Sequence, residues 1–179
     1  GITISHLRFG QAKIKAPYLI RQADFVSCSN ASYVNTYDLL EGLKPGGTFL
    51  LNCKWQDAEL EQELPAAMKR YIAANNIKFY TIDALSIAQE LGLGKRTNMI
   101  MQSAFFKLAN IIPVEKAVAA LDASIEHAYG RKGQNVVDMN KKAVTAGLER
   151  LHQVAVPQSW QQAETTAAEA EQAERPEFA

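Results

Sequence analysis

Over residues 2–9 apolar and polar positions alternate. Ile2, Ile4 and His6 fall on one side and Thr3, Ser5 and Leu7 on the other, so a strand is predicted. A second short strand over 12–14 is expected to pair with it across the turn at Gly10 and Gln11. Pro17 keeps the following "APYLI" out of a central strand. Next, "ADFVSCSN" reads as a buried strand over 24–28 that runs into a polar loop. "TFLLNC" alternates too little for a half-exposed strand and predicts one covered on both faces, as in a parallel sheet between helices. "IKFYTID", after the Asn75-Asn76 turn, predicts a third buried strand.

Between these runs the spacing becomes helical. "SYVNTYDLLEGL" places Tyr33, Val34, Tyr37, Leu40 and Leu43 on one stripe, with Ser32 as the expected N-cap and "KPGG" as the stop. "DAELEQELPAAMKRYIAANN" is expected to be capped at its start by Asp57, with acids in its first turns. Pro65 should kink it or split it into two short helices. "ALSIAQELGLG" is a short helix closed by Gly92 and Gly94. Strand, helix, strand, helix, strand, helix over 24–94 implies right-handed crossovers in a parallel sheet.

From residue 97 onward only helical spacing remains. "TNMIMQSAFFKLANII" is apolar nearly all round, which predicts a buried helix. Pro113 opens "VEKAVAALDASIEHAY", with a stripe of Val114, Ala117, Val118, Leu121 and Ile125. After the "GRKGQN" turn comes an amphipathic helix, "VVDMNKKAVTAGLERL". Beyond Trp160 nothing apolar larger than Ala occurs until Phe178, so residues 161–179 are expected to be a flexible acidic linker after a domain over 1–160. The predicted class is α/β: a three-layer, mostly parallel sheet with helices on both faces, followed by a helical C-terminal part.

Charge narrows the function classes. Lys plus Arg and Asp plus Glu both total 19 among 179 residues, so nothing favours nucleic acid or a membrane surface as partner. The longest apolar runs are too short to span a bilayer. The first residues show no charged-then-apolar leader pattern, and a cytoplasmic location is expected. The two cysteines, Cys28 and Cys53, each end an apolar run and read as small buried side chains. With no Cys-x-x-Cys pair, neither an iron–sulfur cluster nor a structural zinc site can be built from these residues.

Two stretches offer binding chemistry. In "SHLRFG", Ser5 and Leu7 face one way and His6 and Arg8 the other. A His and an Arg near a Gly turn suit a carboxylate or phosphate. The competing assignment is hydrogen bonding to a neighbouring loop or domain. "SCSNAS" ends a strand, where ligands of open α/β sheets gather, and would bring Ser27, Ser29, Asn30 and Ser32 before a helix N-terminus. The competing assignment is a satisfied turn with a Ser cap. Arg131 and Lys132 in "GRKG" suit a helix C-terminus as well as a phosphate. Asp24, Asp38 and Asp83 are scattered, and His127 and His152 are expected on solvent-facing helix surfaces. There is no G-x-G-x-x-G between a strand and a helix, and no nucleophile elbow. No catalytic set is complete.

"GGTFLLN", "ADFVSCSN", "IKFYTIDA", "TNMIMQSAFFKLANIIP" and "YGRKGQNVVDMN" together resemble pyruvate:ferredoxin (flavodoxin) oxidoreductases, specifically their gamma-type (third) domain. The resemblance covers residues 1 to about 160. "SNAS" departs from it, having Ala31 where the family pattern has Pro, which alters the stiffness of a turn more than its chemistry. The resemblance implies that the chain starts inside the domain and stops in a linker towards a cluster-bearing region. It implies oxidative decarboxylation of pyruvate with coenzyme A to acetyl-CoA and CO2, with electrons passed to ferredoxin or flavodoxin and, in part of the family, onward to nitrogen fixation.

The full enzyme would use thiamine diphosphate, Mg2+, [4Fe-4S] clusters and coenzyme A, none of them bound by this segment alone. Partners would be the other domains of the same polypeptide, the carrier protein and a second copy in a homodimer. Ser5, His6, Arg8, Ser29 and Asn30 would lie on a coenzyme A-side or interdomain face. The alternatives are a gamma subunit of another 2-oxoacid oxidoreductase, or a non-catalytic α/β nucleotide-binding module.

Overall fold

The computed structural model describes residues 4–7 and 23–164. Strands β1 (Ile4–Leu7), β2 (Ala23–Cys28), β3 (Leu43–Asn52), β4 (Lys78–Ile82) and β5 (His152–Gln153) hydrogen-bond in that order in one sheet. Both outer pairings, β1 with β2 and β4 with β5, are antiparallel. The inner strands run together. The Ala23 N–H donates to the Gly42 carbonyl at 2.7 Å where β2 and β3 begin, and the Cys53 N–H to the Ile82 carbonyl at 3.0 Å where β3 and β4 end. The result is a mixed, mostly parallel sheet in an α/β fold, as expected. The expected strand over 12–14 lies outside the described residues, as does most of the expected linker, from 165 onward.

The chain divides into two compact units. The first comprises Gly1–Phe49, Trp55–Phe79 and Val154–Ala179; the second comprises Leu50–Lys54 and Tyr80–Gln153.

In the first unit, Phe25, Val26, Cys28 and Phe49 are fully buried. Phe49 stacks on Phe79 with ring centroids 5.3 Å apart. Helices α1 (Asp57–Glu63) and α2 (Ala66–Ala74) are the two short helices that Pro65 imposes. Two expectations fail here in detail. The N-cap of α1 is Gln56, whose N–H donates to Glu59 Oε1 at 3.3 Å, with Asp57 one position inside. The helix expected from Ser32 to Leu43 is instead one 3-10 turn, Ala31–Asn35, followed by turns. Asn35, Thr36 and Asp38 are weak helix formers. Leu39 and Leu40, both buried, lie in the turns that follow the 3-10 turn.

"KPGG" likewise does not end a helix but lies within β3. Gly46 has φ +77, and a Cβ on Gly47 would stand 2.9 Å from the Lys44 carbonyl oxygen and 3.1 Å from that of Asp24. Only glycine fits at these two positions. The chain re-enters this unit at its end. Val154 N–H donates to the Phe79 carbonyl at 2.9 Å, and Trp160, in the 3-10 turn Gln158–Gln162, packs beside Phe79. The sequence pattern had shown neither β5 nor this return.

In the second unit, α3 (Ala84–Glu90) is followed by α4 (Asn98–Ala109), α5 (Val114–Tyr129) and α6 (Gln134–Glu149), close to the expected bounds. Ala117, Leu121 and Ile125 of the expected α5 stripe are buried. Leu121 and Ile125 pack with Val137 and Val144 of α6, and Met99 and Phe106 close over them. Small residues let α4 and α6 approach: a Cβ on Gly147 would lie 1.9 Å from Ser103 Oγ and 2.4 Å from the Ile100 carbonyl oxygen. Lys107 Nζ donates to the Leu148 carbonyl at 2.6 Å, capping the end of α6. Helix α4 is not buried all round, as its composition had predicted. Ile100, Ser103 and Ala104 are buried, whereas Met101, Phe105 and Leu108 are half-buried. His127 is exposed on α5, but His152, expected on a helix, is exposed in β5.

Candidate functional site

The antiparallel register sets Ile4 opposite Cys28, Ser5 opposite Ser27 and His6 opposite Val26. The start of β1 therefore lies beside the end of β2, and two of the sequence candidates, Ser5 and His6, stand within a few residues of the loop that holds Ser29 and Asn30. Arg8 lies outside the described residues.

That loop is held by its own hydrogen bonds. Asn30, in extended conformation, caps the 3-10 turn: its Oδ1 accepts from the Ser32 N–H at 3.0 Å and the Ser32 hydroxyl at 2.8 Å. Asn30, rather than Ser32, is the cap, with Ser32 the donor to it. The Asn30 backbone carbonyl accepts from the Tyr33 N–H at 3.1 Å and from the Cys28 thiol at 3.1 Å. The side-chain oxygen is thus spent on structure, so any ligand contact from exposed Asn30 falls to its NH2 group. Ser29 is half-buried and hydrogen-bonded or in contact within the chain.

The other candidates have structural duties. Burial pushes the Cys28 thiol above its ordinary pKa, so it is a protonated donor rather than a nucleophile at neutral pH. Asp24 pairs with Lys44 at 3.5 Å. Asp83 caps α3, accepting from the Ser86 N–H at 3.2 Å, and Asn52 Oδ1 accepts from the Ala84 N–H at 2.9 Å. These two side chains occupy the N-terminus of α3. In "GRKG", Lys132 Nζ lies 5.6 Å from the centre of the Tyr129 ring, and Arg131 is exposed.

Among the described residues no three His, Cys, Asp or Glu side chains converge as metal ligands, and Cys28 and Cys53 are buried and not joined in a disulfide. The donor set does not fit a four-thiolate cluster or the Mg2+ of thiamine diphosphate, which wants carboxylate oxygens. No described helix is long and apolar enough to cross a membrane.

Tyr33 and Tyr37, read from their spacing as part of a helix stripe, stand beside the Asn30 loop instead. They form an edge-to-face pair, centroids 5.4 Å apart, on the turn after Asn30, and Tyr37 is 41% exposed. Two tyrosines three and seven residues after Asn30 were the available clue.

The family profile of pyruvate ferredoxin/flavodoxin oxidoreductases matches residues 1–150. The pyruvate-flavodoxin oxidoreductase of Enterobacter agglomerans is 65% identical over 164 residues, covering 92% of this chain and 14% of the relative. That of Klebsiella pneumoniae is 58% identical over 95% of the chain and 14% of the relative. The pyruvate:ferredoxin oxidoreductase of Moorella thermoacetica is 54% identical over 99% of the chain and 15% of the relative. The chain thus spans about a seventh of these relatives. Its fold is also that of the Thermotoga maritima pyruvate oxidoreductase subunit PORC, with TM-score 0.59 at 20% identity over 85% of this chain and 82% of that one. The chain belongs to the pyruvate ferredoxin/flavodoxin oxidoreductase family.

Proposed function

We propose that this chain is the gamma-type segment of a cytoplasmic enzyme that converts pyruvate and coenzyme A to acetyl-CoA and CO2. Two electrons leave, one at a time, for ferredoxin or flavodoxin. The 65% identity to a pyruvate-flavodoxin oxidoreductase across nearly the whole chain carries this reading. Thiamine diphosphate, when bound elsewhere in the full enzyme, supplies the carbanion chemistry. The described residues of this segment contain no complete catalytic set and serve as scaffold.

Its binding contribution in this reading is a coenzyme A-side face made of Ser5, His6, Arg8, Ser29 and Asn30. The β1–β2 register supports it by bringing Ser5 and His6 close to the loop. The Asn30 NH2 is a suitable donor to a phosphate or pantetheine oxygen. The edge-to-face pair Tyr33 and Tyr37 adds an apolar surface beside it.

In the full-length enzyme, Asn30→Asp keeps the capping oxygen and replaces the donor with a negative charge. The expected result is a raised KM for coenzyme A with the KM for pyruvate and the melting temperature unchanged. An unchanged KM for coenzyme A removes the loop from the substrate face.

A further inference from the structure

Asn30 is held at both ends. Its backbone carbonyl accepts from the Tyr33 N–H and from the Cys28 thiol, each at 3.1 Å. Its side-chain oxygen accepts from the Ser32 N–H at 3.0 Å and from the Ser32 hydroxyl at 2.8 Å. A backbone N–H can only donate. It therefore assigns the amide oxygen to the Ser32 side and leaves the NH2 group on the other.

One of these bonds exceeds what the turn needs. The 3-10 turn Ala31–Asn35 is capped by the bond from the Ser32 N–H to Asn30 Oδ1. The Ser32 hydroxyl adds a second donor to the same oxygen. Asn30 and Ser32 are both exposed, where water replaces a lost hydroxyl bond at little cost in stability. What the hydroxyl contributes is therefore orientation. One donor leaves an amide able to pivot about a single bond, whereas two donors from one residue fix its plane. Two donors on the oxygen also polarise the amide and strengthen its N–H groups as donors.

We propose that Ser32 is a positioning residue, whose hydroxyl holds the Asn30 amide so that its NH2 group is presented to an acceptor oxygen of coenzyme A. The role rests on the reading of this loop as part of the coenzyme A-side face. It gives Ser32 no contact with coenzyme A itself, since the hydroxyl hydrogen is spent on Asn30. It also makes the loop selective. A fixed NH2 group takes an acceptor oxygen, and turning the amide over to meet a donor would break both bonds to Ser32.

The test is steady-state kinetics of the full-length enzyme with coenzyme A varied. Ser32→Ala should raise the KM for coenzyme A about 2–10-fold, the range of one hydrogen bond, with kcat and the KM for pyruvate unchanged. Ser32→Thr keeps the hydroxyl and should keep the parent KM. In the Asn30→Asp background, Ser32→Ala should raise the KM no further, because the donor that the hydroxyl orients is gone. An unchanged KM in Ser32→Ala, while Asn30→Asp raises it, overturns the positioning role and leaves the substrate face standing. An unchanged KM in Asn30→Asp removes the face, and the positioning role with it. An equal rise from Ser32→Ala in both backgrounds shows that Ser32 acts independently of Asn30 and overturns the proposal too.

Discussion

The second unit draws nearly all its residues from one stretch, Tyr80–Gln153, whereas the first unit is assembled from three separated pieces. In the second, neighbours in sequence are neighbours in space: α4, α5 and α6 pack on one another through short turns. In the first, the chain leaves after β4 begins and returns only at Val154 to lay Trp160 on Phe79. Periodicity reads the first kind of construction well, because each stripe finds its partner locally. It is blind to the second kind, where a residue's partner lies some eighty positions away.

The sharpest break in this comparison comes from Trp160. It is 3% exposed, its Nε1 donates to Glu61 Oε1 at 3.3 Å, and Arg70 donates to the Ala163 carbonyl close by. Trp160→Ala should cost about 3–5 kcal/mol. Hydrogen exchange should accelerate in α1 and α2 while α4–α6 keep their protection. Equal loss in both units would show that they unfold together and that the distinction has no energetic meaning.

Gly147→Ala strikes the other unit. The added methyl meets a backbone carbonyl as well as Ser103 Oγ, so the loss should be about 1–3 kcal/mol. Ser103→Ala should not restore it, because the Ile100 carbonyl remains. Denaturant melts of the single and double variants decide this, and full rescue would place the clash on the hydroxyl alone.

Legibility followed the same division. α5 was readable nearly to the residue, and the split at Pro65 followed from ring chemistry. The three buried strands showed in "ADFVSC", "TFLLNC" and "IKFYTID" because apolar runs bounded by turns have few other solutions. The segment over 32–43 was misread because its apolar spacing imitates a helix, while Asn30 and Ser32 bond locally in a 3-10 turn. The candidate loop was visible as a polar strand end. That Asn30 spends its oxygen on Ser32 was not, since capping depends on a backbone conformation that residue types alone do not specify.

Smaller effects sharpen the picture further. Burial raises the pKa of Cys28 above 9.0, and burial together with the Asp38 charge raises that of Tyr71 above 10.0. Above pH 9 the folded chain therefore holds more protons than the unfolded one, and stability should fall as pH rises. Cys28→Ala should flatten the first part of that alkaline limb in melting experiments; an unchanged limb would assign it to other groups. The smallest effect belongs to Glu90, whose pKa is lowered by its hydrogen bond to Arg150 at 2.7 Å on an exposed surface. Its contribution is present above the ordinary carboxylate pKa of 4.5 and is lost as pH falls through the lowered value. Glu90→Gln should change the melting temperature marginally, and less still in high salt.

The most direct measurement of the central claim is reduction of flavodoxin or ferredoxin dependent on both pyruvate and coenzyme A, followed by absorbance. It should be made with the 179-residue chain alone and with the full-length protein that contains it. The account predicts no turnover from the chain and turnover from the full-length protein. Reduction by the chain alone, or none by the cofactor-loaded full-length protein, would contradict it.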